Sequence, residues 1–121
     1  MDLYREKILD HYRNPRQYGK VAGATHRAVR ANPVCGDEVT LTVRVRRGTI
    51  VDVRFSGRGC AISTATNSLL LELLVGKTVA AVRQLQPAAV LKLLGVPIGP
   101  ARHHCALLGF EALREALAAK P

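Results

Sequence analysis

The sequence predicts an α+β domain in which helices cover one face of an antiparallel sheet. Two observations carry this prediction. Apolar and polar residues alternate between positions 39 and 56, whereas apolar residues recur with helical spacing before and after that region. Of the 121 residues, 48% are hydrophobic and 22% are charged, as in ordinary globular proteins. We therefore expect one compact domain over residues 1–121.

The first predicted element is a helix over residues 2–13, which Pro15 ends after Asn14. Its apolar residues fall roughly on one face: Leu3, Ile8, Leu9 and Tyr12. The following residues 14–24 contain proline and two glycines, and they predict a loop.

Strands are predicted next, beginning with a short one at residues 26–31 that leads into a turn at 32–37. A half-buried strand follows, in which four apolar residues alternate with polar ones: Val39, Leu41, Val43 and Val45. Arg47 and Gly48 form a predicted tight turn, and residues 51–56 form the antiparallel return strand.

From Ala61 the period changes to that of a helix, which Gly76 is expected to stop. Thr78 is a predicted cap of a shorter helix, whereas Pro87 and residues 95–100 interrupt the chain. The last helix is predicted at about 103–119. The predicted apolar face of the helix that starts at Ala61 consists of Ile62, Ala65, Leu69, Leu70, Leu73 and Leu74. That of the last helix consists of Ala106, Phe110, Leu113 and Leu117.

Composition narrows the class of function. The net charge is +9, from 18 Lys and Arg against 9 Asp and Glu, which favours an acidic partner or solubility. We do not expect nucleic-acid binding, because basic residues are spread along the chain and aromatic residues are only 4%. The longest apolar run, at residues 69–71, is broken by Glu72. We therefore expect a cytoplasmic protein without a membrane span.

The three cysteines are the candidate functional residues. Three thiols cannot complete a disulfide framework, and no two of them form a C-x-x-C pair. Cys35 lies in the turn at 32–37, Cys60 follows Gly59 at a predicted helix start, and Cys105 lies in the first turn of the last helix. Free backbone N–H groups at such places stabilise thiolates and bound sulfur anions. The thiols, with an acid near Cys35 and a histidine beside Cys105, form a ligand set for a thiophilic metal.

Structural roles remain open for each of these residues. Cys60, beside Ala61 and Ile62, could be a small buried hydrophobic residue. Asp37 could close a turn or act as a ligand. His103 and His104 point in different directions, so only one of them can reach a metal. His11 and His26 have no nearby ligand types and are expected to be structural or to lie on the surface.

Four segments together resemble the iron–sulfur cluster scaffold family that comprises IscU, SufU and the N-terminal domain of NifU. They are residues 8–16 (ILDHYRNPR), 32–37 (NPVCGD), 57–63 (GRGCAIS) and 102–108 (RHHCALL). The resemblance implies the family's fold, a three-stranded antiparallel sheet packed with helices, and one exposed site formed by three loops.

The resemblance also implies the chemistry. Cys35, Cys60 and Cys105 would be the thiolates on which a transient [2Fe–2S] cluster is assembled from iron, with Asp37 beside the metal and His104 as a further possible ligand. Sulfur would arrive as a persulfide from a cysteine desulfurase, with Cys105 as the first-choice acceptor and Cys35 as the second choice. Arg102 would lie nearby and hold the negative charge of the thiolate or persulfide. Recipient apo-proteins would take the cluster, and the protein would be a scaffold rather than an enzyme.

Two alternatives remain. The first is a SufU-like zinc-containing sulfur acceptor, which activates a desulfurase and relays persulfide like a sulfurtransferase. The second is a nucleic-acid-binding module with structural zinc. The chain lacks the insertion typical of SufU between its second and third cysteines. Residues 98–102 (IGPAR) keep only one proline and a basic residue of the Leu-Pro-Pro-Val-Lys motif, so docking of a dedicated Hsp70-type chaperone is not expected.

Overall fold

The computed structural model describes residues 3–33 and 36–118. The helices are α1 (Leu3–Arg13), α2 (Ala61–Leu74), α3 (Val79–Arg83), α4 (Pro87–Leu91) and α5 (His103–Ala118), and the strands are β1 (His26–Asn32), β2 (Asp37–Arg46) and β3 (Thr49–Arg58). Two 3-10 turns, Lys92–Leu94 and Pro100–Arg102, connect α4 to α5. Residue 2 of the first predicted helix and residue 119 of the last lie outside the described residues.

The three strands form one antiparallel sheet in the order β1-β2-β3, as the family resemblance predicted. Arg47 and Gly48 join β2 to β3 with φ angles of 52° and 76°, the left-handed pair that a two-residue hairpin turn requires. The predicted tight turn is therefore confirmed.

The outer edge of β3 is paired with irregular segments at both ends. Near one end, Gly19 N–H donates to Phe55 O at 2.8 Å, and Phe55 N–H donates to Gln17 O at 2.9 Å. Near the other end, Ile50 N–H donates to Lys77 O, and Gly76 N–H donates to Ile50 O, both at 2.8 Å. These bonds satisfy strand groups that an open edge would leave for another chain.

The core lies between one face of the sheet and helices α2 and α5, with α5 packed along β1 and β2. The apolar residues of β2 predicted to face inward are buried, Val45 only in part, and so are the four predicted residues of α5. Because both periodicities place their apolar residues in the same core, the α+β prediction is confirmed.

Two predicted apolar faces are wrong in part. Leu3 is 75% exposed and Tyr12 is 44% exposed, whereas His11 is the buried residue of α1. His11 packs against α2, where its Nδ1 lies 2.7 Å from Ser68 Oγ. Leu73 of α2 is also 54% exposed. The buried pair His11 and Ser68 therefore sets which face of α1 points inward. The spacing of apolar residues in the sequence does not reveal such a polar contact.

The prediction that Pro87 interrupts the helical region is wrong, because Pro87 is the first residue of α4. A proline at this position loses no helical hydrogen bond, and its fixed φ favours the helix. The cap predicted at Thr78 is confirmed, because Thr78 Oγ1 accepts from Ala81 N–H at 3.0 Å.

Among the described residues, no helix has the length and apolar character needed to cross a membrane.

Candidate metal site

Three of the predicted ligands come together. One donor atom each of Asp37, Cys60 and Cys105 lie within 4.8 Å of one another. Asp37 begins β2, Cys60 precedes α2, and Cys105 lies in the first turn of α5. Cys35, the remaining predicted thiolate, lies outside the described residues.

The position of Asp37 is fixed by the end of the β1–β2 ladder. Asp37 pairs with Asn32 across the two strands, and Gly36 N–H donates to Asn32 O at 2.8 Å. The side chain is only 7% exposed, and its Oδ2 has no hydrogen-bond partner among the described residues. A buried polar atom without a partner costs on the order of 1–3 kcal/mol. A cation held between this oxygen and two thiolates would offset that cost.

Cys60 is the N-cap of α2. Its backbone is extended, and its Sγ accepts a hydrogen bond from Ser63 N–H at 3.4 Å. Serine or threonine usually fills this position with an oxygen acceptor. The first turn of α2 therefore presents a polar N–H group, and the positive end of the helix dipole, to the half-buried sulfur.

Gly57 allows Cys60 to approach Asp37. Gly57 lies near the end of β3 with a φ of 124°, and a Cβ there would collide with the backbone carbonyl oxygen of Glu38. Only glycine fits this close contact between the last residues of β3 and the first residues of β2. The contact places the segment that carries Cys60 beside the start of β2.

Cys105 is held differently from Cys60. It is 8% exposed and is the third residue of α5, which begins directly after the 3-10 turn Pro100–Arg102. The N–H groups of Arg102 and His103 donate to Gly99 O and Pro100 O within that turn. These N–H groups at the start of the last helix are therefore hydrogen-bonded within the turn, although the sequence predicts free ones there.

A close contact between α2 and α5 sets the separation of their cysteines. Asn67 of α2 is buried and lies over Gly109 of α5, where a Cβ would collide with Asn67 Oδ1. Gly109 is one turn after Cys105, and Asn67 is two turns after Cys60. Sequence reasoning missed both residues, although a glycine inside a predicted helix is itself a signal of close packing.

The flanking residues predicted for the site are not among the three clustered donors. His104 is exposed, and Arg102 is exposed in the 3-10 turn. His103 donates from Nε2 to Ile98 O at 2.9 Å. The roles of His104 and Arg102 as ligand and charge partner stay predictions.

Comparison with known proteins gives a consistent picture. Residues 3–120 match the family model of the NifU-like N terminal domain. The iron-sulfur cluster assembly scaffold protein IscU 1 of Archaeoglobus fulgidus is 36% identical over 115 residues, which cover 95% of this chain and 74% of that protein. The zinc-dependent sulfurtransferase SufU of Bacillus subtilis is 32% identical over 133 aligned residues, covering 96% and 90%.

Solved structures agree. The crystal structure of a putative iron-sulfur cluster assembly scaffold protein for the SUF system from Fervidobacterium islandicum superposes with a TM-score of 0.77 and 30% identity. The match covers 93% of this chain and 94% of the other.

Proposed function

Because this chain belongs to the NifU-like N-terminal domain family, we propose that it assembles a transient [2Fe–2S] cluster and passes it to apo-proteins. The names of the Archaeoglobus and Fervidobacterium relatives both describe iron–sulfur cluster assembly scaffolds. The observation in this structure that supports the proposal is the convergence of Asp37, Cys60 and Cys105 within 4.8 Å.

The ligand set suits a cluster that is bound temporarily and then released. Cys60 and Cys105, with Cys35 as the third thiolate, bind iron through sulfur, as iron–sulfur clusters require. Asp37 supplies an oxygen, a weaker partner for iron in such a cluster than a fourth thiolate. Three thiolates and one carboxylate therefore hold a cluster less firmly than the four cysteines of a closed site.

Sulfur would be delivered by a cysteine desulfurase. The Cys105 thiolate attacks the outer sulfur of a persulfide on the desulfurase, a new S–S bond forms, and the desulfurase cysteine leaves as a thiolate. Cys35 is the alternative candidate for the persulfide acceptor. Each transferred sulfur needs two electrons to become sulfide, which a separate thiol or electron-transfer reductant supplies.

A second candidate function is a zinc-containing sulfur acceptor that activates the desulfurase and relays persulfide. The similarity to SufU of Bacillus subtilis, whose name describes a zinc-dependent sulfurtransferase, favours it. Cysteine thiolates and a carboxylate are also suitable ligands for tetrahedral Zn²⁺. The two functions differ in the cargo and share the site.

Anaerobic reconstitution separates them. The protein is incubated with ferrous iron, cysteine, a cysteine desulfurase and a thiol reductant, and iron, zinc and acid-labile sulfide are then measured beside the visible spectrum. Equal iron and sulfide, with visible absorption that Cys60→Ser and Cys105→Ser abolish, supports the scaffold. Asp52→Asn, a carboxylate change away from the site, serves as the matched control and keeps the absorption.

Stoichiometric zinc without sulfide, together with faster desulfurase turnover, would favour the relay. Neither a cluster nor a change in desulfurase turnover would contradict both functions.

A further inference from the structure

An apolar groove lies on the helical side of the molecule, between the C-terminal half of α2 and the walls formed by α3 and α4. It encloses about 300 Å³, and its floor consists of buried residues such as Leu70, Val82 and Val90. Leu73 stands on its rim with 54% of its surface exposed. The volume is at the lower limit of small-molecule pockets, roughly 300–1,000 Å³, and fits a few apolar side chains.

The charged residue that lines the groove is a cation, Lys77. Between Glu72 and Glu111 the sequence contains no Asp or Glu. Arg83 of α3 and Lys92 of the 3-10 turn after α4 are also exposed, but they line other parts of the surface. Glu72, the nearest acid in sequence, lies 4.0 Å from the guanidinium of Arg16, which belongs to the segment after α1. An apolar floor with Lys77 at its edge, in a stretch of sequence without acids, is complementary to an apolar stripe flanked by acids.

The groove is separate from the metal site. Leu73 lies thirteen residues along α2 from Cys60, which corresponds to about 20 Å at 1.5 Å per residue. A partner seated in the groove therefore leaves the thiols accessible.

We propose that this groove binds an amphipathic helix of a partner protein, one whose apolar stripe is flanked by Asp and Glu. The partner's leucine-type side chains contact the floor and Leu73, and its acids face Lys77. Helix-in-groove recognition uses such spaced apolar anchors, and the flanking charges set specificity. A second copy of this chain is a poor occupant, because each copy carries a net charge of +9 and like charges repel.

The probe is a labelled 18-residue synthetic peptide with leucine on one helical face and glutamate elsewhere. A twin peptide carries lysine in place of every glutamate. Binding is measured by fluorescence anisotropy, and the contact surface is mapped by backbone amide shifts in NMR. We expect saturable binding of the glutamate peptide, weaker binding of its twin, and shifts confined to residues 70–93.

Leu73→Glu tests the groove directly, because this exposed residue can change without disturbing the core. We expect it to weaken binding of the glutamate peptide about tenfold or more, because an apolar contact is lost and a carboxylate then faces the glutamates of the peptide. Val51→Glu alters another exposed apolar residue, 41% exposed on β3, and should leave binding unchanged. Lys77→Glu should weaken the glutamate peptide about threefold and strengthen its twin.

Four results would overturn the proposal. They are equal or tighter binding of the lysine peptide, no effect of Leu73→Glu, binding only to vesicles of anionic phospholipid, and a concentration-dependent dimer that Leu73→Glu dissociates. None of these readouts involves iron, zinc or sulfide. A failure here is therefore distinguishable from a failure of the cluster-assembly function.

Discussion

At the scale of single residues, two aspartates of the sheet contrast sharply. Asp52 Oδ1 accepts from Gln17 Nε2 and from Val53 N–H, both at 2.9 Å, and its Oδ2 accepts from Arg54 Nε at 3.1 Å. Asp37 is more deeply buried, yet its Oδ2 has no partner among the described residues. The carboxylate of Asp37 is therefore poorly stabilised until a cation binds beside it.

Asp37→Asn should stabilise the metal-free protein, because a neutral amide costs less to bury than an unpaired carboxylate oxygen. We expect the free energy of unfolding to rise by about 1 kcal/mol and the affinity for Zn²⁺ to fall. Urea denaturation of chelator-treated protein and a competition titration with a zinc indicator measure the two effects. Asp52→Asn loses satisfied hydrogen bonds, so it should lower stability and leave zinc affinity unchanged. A loss of stability in Asp37→Asn would contradict the prediction.

His11 is a titratable residue that the structure buries. Ser68 Oγ lies 2.7 Å from His11 Nδ1 and also accepts from Arg16 N–H at 2.8 Å. The hydroxyl of Ser68 therefore links the imidazole of His11 to the segment after α1. Burial lowers the pKa of His11 below its ordinary value of 6.5, and the positive charge of Arg16 lowers it further.

Stability should consequently fall on acidification. The unfolded chain takes up the His11 proton at higher pH than the folded protein, so the stabilisation is complete above pH 6.5 and is lost as pH falls below it. His11→Asn keeps an acceptor but cannot titrate. Its free energy of unfolding should depend less on pH between about 7.5 and 5. Parallel pH profiles of the two proteins, measured by urea denaturation, would show the assignment to be wrong.

At the scale of elements, the packing of α2 against α5 decides whether the two cysteines meet. The sequence predicts both helices and the buried face of α5 from apolar period alone. It does not predict how closely they approach, because that depends on one pair, Asn67 over Gly109. Asn67 Oδ1 is buried without a partner among the described residues, so the contact depends on shape and not on a hydrogen bond.

Gly109→Ala should push the helices apart. Overpacking of this kind costs about 1–3 kcal/mol, and it should weaken metal binding because Cys105 moves relative to Cys60. Thermal unfolding and zinc titration measure both effects. Asn67→Ala removes the side chain that the new methyl group meets, so the double variant should regain stability relative to Gly109→Ala. Additive losses in the double variant would refute the contact as the cause.

At the scale of the whole molecule, positive charge exceeds negative charge by nine. Some arginines are neutralised locally: Arg16 by Asp10 at 2.7 Å, and Arg30 by Glu111 and Glu115 at 3.0 and 3.5 Å. Many of the remaining cations are exposed. The folded chain therefore carries an electrostatic self-repulsion that the expanded chain relieves.

Salt should stabilise this protein. Raising sodium chloride from about 20 to about 300 mM screens the repulsion, so we expect a higher melting temperature at neutral pH. The double variant Lys20→Glu and Arg46→Glu changes two exposed positions, and each exchange lowers the net charge by two. Its melting temperature should respond less to salt. A melting temperature that falls with salt would show that the local ion pairs outweigh the net repulsion.

Features of the fold that depend on residues close in sequence can be predicted from the sequence, whereas those that depend on distant packing cannot. The alternation at Val39–Val45, the cap at Thr78 and the hairpin turn at Arg47 depend on neighbouring residues, and each was predicted correctly. The burial of His11 and the exposure of Leu73 depend on how helices rotate against distant partners. The sequence around Pro87 predicts a break because proline disrupts the middle of a helix, but proline is tolerated in the first turn, where the structure places it.

The three clustered donors lie far apart along the chain, on β2, before α2 and in α5. A metal bound by all three donors joins the two ends of the segment 37–60 and the two ends of the segment 60–105. It therefore acts as a reversible cross-link within the chain. Cross-links of this kind restrict the unfolded chain, and binding free energy becomes folding free energy. The metal-bound protein should therefore resist unfolding more than the metal-free one, and release of the metal should loosen the fold.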